Sequence, residues 1–312
     1  MGRLDRRLHL LLRQMPTVAN PVHRPDFPIL EPDGGLLRQE GMFAVFALPL
    51  LFAAAVAPPA DVREIVKIAI DREIHNQRQL ADYTWQDESI VRVDGHVKKK
   101  VREHFYIDGS TYSKLAEKDG RPLPGPEARK EQAKMDKEIA RRKNESPSQR
   151  DKRLAAERKE VAEGIKFRED VLRAFDFKFE GEDMVSGFKA WRIAGTRRVD
   201  FKPKSRDGKM LAKLRGHIWV HQESNEWLKF DVETLEKIAF GAFLATVAPG
   251  AHVSSQQMRV NDSLWHPEWL RVNLQGRALW KKIDFDMEDR YRNFRKFQTE
   301  SRIVETAPES TP

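Results

Sequence analysis

The sequence predicts an α+β protein in which a large antiparallel sheet of about ten strands is covered by helices and interrupted by a long charged helical insertion. Three observations carry that expectation. From Asp61 to Leu80, apolar residues recur at helical spacing. Two blocks, 83–118 and 175–298, alternate apolar and polar residues and are cut by Asp-Gly pairs, the dipeptides that favour tight hairpin turns. Between these blocks the alternation stops, and Ala, Glu, Lys and Arg dominate.

The elements follow in chain order. Met42 to Ala57, MFAVFALPLLFAAAVA, follows Arg38 and ends near the small residues Ala53, Ala54 and Ala55, which predicts a signal peptide over 42–57. Pro58 disfavours processing after Ala57, so Ala55 is the expected cleavage residue, with a retained, uncleaved anchor as the rival reading. The run is short and rich in small residues for a transmembrane helix. Its position makes Met42 the expected start, and 1–41, Pro-punctuated and without sustained period, a disordered extension or mis-assigned start. The chain is therefore expected to be exported and, in a Gram-negative-type bacterium, periplasmic. With no cysteine it carries neither a lipidated boundary nor disulfides nor cysteine metal sites. The roughly 250 residues that follow the signal are enough to be held by an apolar core alone.

In the opening helix, Val62, Ile65, Val66, Ile68, Ala69, Ile70 and Ile74 recur at helical spacing, with Asp61 placed as N-cap. Tyr83 to Val91, Lys98 to Asp108 and Thr111 to Lys118 read as strands separated at Asp94-Gly95 and Asp108-Gly109, with Asp119-Gly120 ending the meander. The insertion 127–174 reads as two helices of about 18 and 25 residues, with Ser146 as N-cap and Pro147 in the first turn of the second. Over Glu127 to Arg173 it holds 15 Lys and Arg against 11 Asp and Glu, interspersed, and its apolar residues are sparse. It is read as an exposed arm or lid with a solvated face. The whole chain is +8, without the one-sided basic concentration of a nucleic-acid footprint. From Phe175 the strand pattern resumes, as in Phe175, Phe177 and Phe179 against Asp176, Lys178 and Glu180, a sheet with one dry face and one wet face. A sheet of this size normally curls. Residues 58–304 are taken as one domain and 305–312 as a disordered tail.

Gly216-His217-Ile218-Trp219-Val220-His221, then Glu226-Trp227-Leu228-Lys229-Phe230, then Val260-Asn261-Asp262 and Trp265-His266-Pro267 resemble the outer-membrane lipoprotein-sorting (LolA/LolB-like) superfamily. The stretch from Lys204-Ser205-Arg206 to Leu214-Arg215-Gly216, and the ending Tyr291 to Phe297, resemble more narrowly a group of exported bacterial proteins of this type. The resemblance implies a strongly curved antiparallel half-barrel with helices in its open side, around an apolar cavity that receives acyl chains in the sorting proteins. The insertion lies outside the compact carrier, and His221 stands where the family usually has Asp.

An acyl-binding cavity requires a concave apolar face larger than the helices fill. The ligand-cavity candidates are Phe177, Ile193, Leu228, Phe230, Leu270, Val272, Leu274, Ile283 and Phe285; the competing reading is that they pack as core. At about 0.8 kcal/mol per methylene, a twelve-carbon chain would contribute on the order of 8 to 10 kcal/mol before ordering costs. The uncharged segment Gly241 to Val253 reads either as a rim, with Phe243 and Leu244 as contacts, or as a buried central strand. Lys204 and Arg206, in the most basic loop on the strand side, are further rim candidates for a lipid phosphate or an acidic partner.

No catalytic signature stands out. On a strand, His217 and His221 lie on one face roughly 13 Å apart, too far to share a metal. Ser254-Ser255 lacks the glycines of a nucleophile elbow, and Ser186-Gly187 reads as a turn. Asp284, Asp286 and Glu288 alternate with Ile283, Phe285 and Met287 as a solvated strand face. The expectation is a non-catalytic periplasmic binder or carrier of a lipid, lipoprotein or other amphiphile, without cofactor or metal. The alternative is a structural or interaction module of the envelope with a filled core and a helical docking arm. The partners implied are acyl chains, an envelope protein and peripheral contact with a membrane, and not nucleic acid.

Overall fold

In the computed structural model, which describes residues 61–205, 207–240, 245–278 and 280–296, helix α1 (Val62–Gln79) starts on an Asp61 cap. The Asp61 carboxylate accepts from the amides of Arg63 and Glu64 at 2.9 and 3.1 Å, satisfying two of the orphan donors of a helix start. The signal segment 42–57, the extension 1–41, the tail 305–312 and the rim candidates Arg206, Phe243 and Leu244 lie outside the described residues.

A meander follows: β1 (Tyr83–Val93), β2 (His96–Ile107), β3 (Ser110–Lys118) and β4 (Arg121–Pro122). Its Asp-Gly turns behave as their chemistry demands: Asp94, Asp108 and Asp119 take φ of 49°, 45° and 52°, and the glycines after them are also left-handed. Ser186-Gly187, at φ 50° and 82°, makes a fourth such turn, between β5 (Phe175–Val185) and β6 (Phe188–Arg197). The remaining strands are β7 (Leu214–His221), β8 (Trp227–Thr234), β9 (Ile238–Phe240), β10 (Ala245–Val247), β11 (His252–Arg259), β12 (Trp265–Ala278) and β13 (Lys281–Lys296).

All thirteen belong to one antiparallel sheet, in the order β4-β3-β2-β1-β13-β12-β11-β8-β7-β6-β5, with β9 and β10 beside it. Ten are eight residues or longer, the number legible by alternation; β4, β9 and β10, of two or three residues, are too short to show a period. The path does not close, because β4 and β5 at its ends do not pair. Register breaks in five pairings, at Thr84/Gln86, Val101/Arg102, Phe179/Gly181, Trp219/Val220 and Gln256/Gln257, bend the sheet into an open half-barrel. In the described part of Gly241 to Val253, β10 pairs with β9 and with the far end of β12, beyond the reach of β11, while His252 and Val253 open the central strand β11; Val247 and Val253 are buried in the core.

Helices α2 (Gly125–Lys143) and α3 (Pro147–Ala174) connect the two open edges of the sheet, since α2 follows β4 and α3 runs directly into β5. A capping box starts α3, with Ser146 Oγ accepting from the Gln149 amide and the Gln149 side chain accepting from the Ser146 amide. The arm is not free. The α2–α3 elbow is pinned to the β2–β3 turn by Arg142, which donates to the carbonyls of Ile107 and Ser110, and by Arg153, which reaches Asp108, Ser110 and Glu145. Gly109 is required there: its φ is +86°, and a Cβ would sit 2.8 Å from the Leu154 side chain. At about 1.5 Å per residue, the 28 residues of α3 span roughly 42 Å. Residues 155–162 are exposed on every side of the helix. The middle of α3 is thus a solvated bridge, and only its ends pack.

The main core lies on the concave face, where Ile65, Val66 and Ala69 of α1 and Phe167 of α3 meet the inward residues of β5 to β8 and β11 to β13. A second cluster, Val185, Ala190, Trp219, Leu228 and Trp265 with Phe188, lies on the other face. Arg142→Ala removes the guanidinium donor to the Ile107 and Ser110 carbonyls, while Glu138 keeps Arg141 as its partner. It is expected to cost about 2–3 kcal/mol in urea unfolding and to speed hydrogen exchange in α2. Unchanged stability and exchange would show that this residue does not hold the elbow.

Candidate functional site

Helices α1 and α3 and strands β5 to β8 surround a cavity of about 140 Å³. The stripe of α1 supplies Val66, Ala69 and Ile70, the end of α3 supplies Phe167 and Val171, and Phe175, Phe177, Trp227 and Phe230 come from the sheet. Gly195 and Gly216 are cross-strand partners on β6 and β7 and both line the cavity; a Cβ on Gly216 would clash with the Asp231 carbonyl of β8, and one on Gly195 would lie 3.6 Å from the Phe175 ring.

One end of this apolar space is polar and buried. Glu73 continues the α1 stripe one turn beyond Ala69 and is 3% exposed. Its Oε2 accepts from Trp227 Nε1 at 2.8 Å and Gln257 Nε2 at 3.0 Å, and its Oε1 from Gln77 Nε2 at 3.0 Å. Arg168 of α3 faces it, with a terminal nitrogen 3.9 Å from Glu73 Oε1. The Arg168 side chain is 7% exposed, and its Nε has no hydrogen-bond partner. Burial pushes its pKa below the usual arginine value, against the pull of Glu73. Gly164, one turn earlier, gives the guanidinium its place, since a Cβ there would lie 3.1 Å from an Arg168 nitrogen. Beside this group Asn76 donates to Glu226 Oε2 at 2.9 Å.

Of the residues singled out from sequence, Phe177 and Phe230 line the cavity. Ile193, Leu270, Val272, Leu274, Ile283 and Phe285 belong to the main core without reaching it. Leu228 is displaced to the opposite cluster. The break between Trp219 and Val220 leaves Leu228 without a partner, pairing Trp219 with Lys229 and Val220 with Trp227. That bulge shifts the alternation, so Trp227 faces inward in place of Leu228. Lys204 is exposed, and its amide is tied to the buried Asp170, which also accepts from Ser205. Glu73 and Arg168 were not anticipated; the available signal was a charged residue falling on each helix's apolar stripe.

Other groupings are less built. A shallow groove of about 350 Å³ between the start of α1 and the end of α3 is lined by charged side chains apart from Leu172. His104 lies 3.5 Å from Ser113 Oγ and 3.3 Å from Asp87 Oδ1, longer than the contacts of a working serine relay, and is stacked under Trp85. His217 lies 3.1 Å from Glu180 and His221 2.7 Å from Ser224 Oγ, each with its own partner. Asp286 pairs with Arg92, and Glu288 with Arg290. Among the described residues no three His, Cys, Asp or Glu are grouped to hold a metal ion, and no helix is long and apolar enough to cross a membrane.

No family model matches the chain, and no curated protein matches it. Among solved structures it is similar to a DUF1329 family protein from Desulfovibrio piger, at 13% identity and TM-score 0.29, over 77% of this chain and 95% of that one. It is also similar to an outer membrane lipoprotein-sorting protein domain from Vibrio parahaemolyticus, at 9% identity and TM-score 0.33, over 76% and 95% of the two chains. A LolA superfamily protein from Nitrosomonas europaea is similar at 8% identity and TM-score 0.31, over 78% and 96%.

Burial raises the Glu226 carboxyl from its ordinary 4.5 to about 7, against the Asn76 hydrogen bond. A raised folded-state value means that this contribution to stability is complete below about 4.5 and lost as pH rises through about 7. His266 runs the other way: burial lowers it to about 4, so its contribution is complete above 6.5 and lost as pH falls through about 4. Glu226→Gln, which fixes the neutral form, is expected to raise the melting temperature by a few degrees near pH 8 and leave it little changed near pH 5. The same increment at both pH values would show that Glu226 does not titrate in this range.

Proposed function

We propose that this protein is a non-catalytic binder of an apolar chain or group, acting in the bacterial envelope, with the space between α1, α3 and β5 to β8 as its binding site. The observation that carries this is a mainly apolar cavity bordered by both helices and by strands β5 to β8. An apolar cavity of about 150 Å³ stays dry and accepts a guest the size of benzene. A volume of about 140 Å³ therefore suits one segment of an alkyl chain, and a longer chain requires α1 to move outward. Export, read from the segment 42–57, supplies the compartment.

The size of the cavity also favours the second reading, an envelope interaction module with a nearly filled interior, because drug-sized pockets begin at about 300 Å³. Filling the space separates the two. Ala69 is fully buried on the cavity wall, and Ala69→Leu places extra methyl groups into it. If the space is a real binding cavity, the variant is expected to hold or gain about 0.5–2 kcal/mol of stability while losing binding of a small apolar fluorophore, measured by titration and urea unfolding. A loss of about 1–3 kcal/mol, with no fluorophore binding by the parent protein, is the signature of an overpacked solid core and sinks the binder reading.

A further inference from the structure

We infer that Arg168 is a headgroup anchor, and that the ligand of this cavity is a single alkyl chain ending in a carboxylate. The inference rests on the binder reading above and adds the ligand's chemical class. Glu73 and Arg168 face each other but are unequally satisfied. The Glu73 carboxylate accepts from Trp227, Gln257 and Gln77 at 2.8 to 3.0 Å, which uses both oxygens. Among the described residues, Arg168 has one ion pair, with Glu73 at 3.9 Å and so beyond hydrogen-bond length, and no group accepts from its Nε.

A guanidinium is a planar fork of five donors that matches a carboxylate bidentately, and a buried one without close acceptors is costly. This one lines the apolar cavity, next to Phe167 and Val171 on the same helix. Gly164 keeps the space beside it clear, since any side chain there would press on the terminal nitrogen. A ligand that satisfies both surfaces has an acceptor at one end and hydrocarbon at the other. The nearby Glu73 charge favours a monoanion over a doubly charged phosphate, because the second negative charge would add repulsion against the Glu73 carboxylate. The site also limits the tail to one chain, given its volume of about 140 Å³.

Calorimetric titration of the purified protein with octanoate and with octanol tests this. The two probes share a tail and differ in the head. Octanoate is expected to bind about tenfold or more tightly than octanol, and Arg168→Met to bring it down to the octanol level while octanol binding persists. Should Arg168→Met fold poorly with Glu73 uncompensated, the double variant Glu73→Gln, Arg168→Met keeps the site neutral and is expected to give the same loss. Equal binding of both probes by the parent protein, or a preference for octanoate that survives in the variant, overturns the anchor and leaves the apolar cavity standing. Binding of neither probe removes the cavity reading and the anchor with it.

Discussion

An antiparallel sheet of thirteen strands, among the described residues, that curls without closing leaves an apolar concave face and open edges at β4 and β5, the two ends of its main path, and the rest of the molecule is arranged around covering them. The concave face receives α1, whose stripe of Ile65, Val66 and Ala69 is buried against β5 to β8. The edges are tied to each other by chain connectivity, because α2 leaves the β4 edge and α3 arrives at the β5 edge. At roughly 25 cal/mol per Å² of apolar surface, covering the concave face is the main favourable contribution, while the α2–α3 hairpin adds little burial for its length. Its hold on the sheet is polar at the elbow, through Arg142 and Arg153, and apolar at Phe167.

Much of this was legible from the chain, for reasons that can be traced residue by residue. The Asp61 cap, the Ser146 capping box and the Asp-Gly turns are local devices, satisfied by neighbours within a few positions, so sequence reads them directly. Alternation read the long strands well until a bulge intervened. At Leu228 one extra residue exchanges inside for outside, and nothing in the local composition marks it, because Trp227 and Leu228 are both apolar. The arm is exposed along the middle of α3 as its composition implies, but its anchors are hidden from sequence, because an arginine that will donate to the Ile107 and Ser110 carbonyls looks there like one that will face water.

The same blindness hid the polar end of the cavity. Glu73 and Arg168 occupy positions that helical periodicity assigns to the interior, and a charge there reads as an interruption of the stripe. In the fold they are the ordered part of it. Glu73 draws α1 to β8 through Trp227 and to β11 through Gln257, contacts separated by 154 and 184 residues in sequence. Well-packed apolar residues in place of a buried ion pair are often equally or more stabilising, so bulk stability does not explain why these two charges sit in the core. The Glu73 hydrogen bonds to Trp227 and Gln257 instead fix how far along the sheet α1 lies, which apolar contacts alone would leave free to slide.

The restraints on the two helices bordering the cavity differ in kind, and the difference bears on how a chain could enter. At its far end α3 is held by the elbow arginines; at its near end Asp170 accepts from the Lys204 and Ser205 amides and the Ser205 hydroxyl, and the helix then passes without a loop into β5. Moving α3 breaks several directional bonds at once. Helix α1 is fixed at its C-terminal half by Glu73 and Asn76. Its N-terminal half rests on the apolar contacts of Ile65, Val66 and Ala69, with Arg63 donating to the Leu172 carbonyl at 2.6 Å. Apolar contacts are non-directional and weaken gradually with displacement, whereas a buried hydrogen bond is lost over less than an ångström. A tilt of α1 about its Glu73 end is thus the opening that costs the fewest directional bonds, and it leaves the polar end of the cavity in place while the apolar end widens.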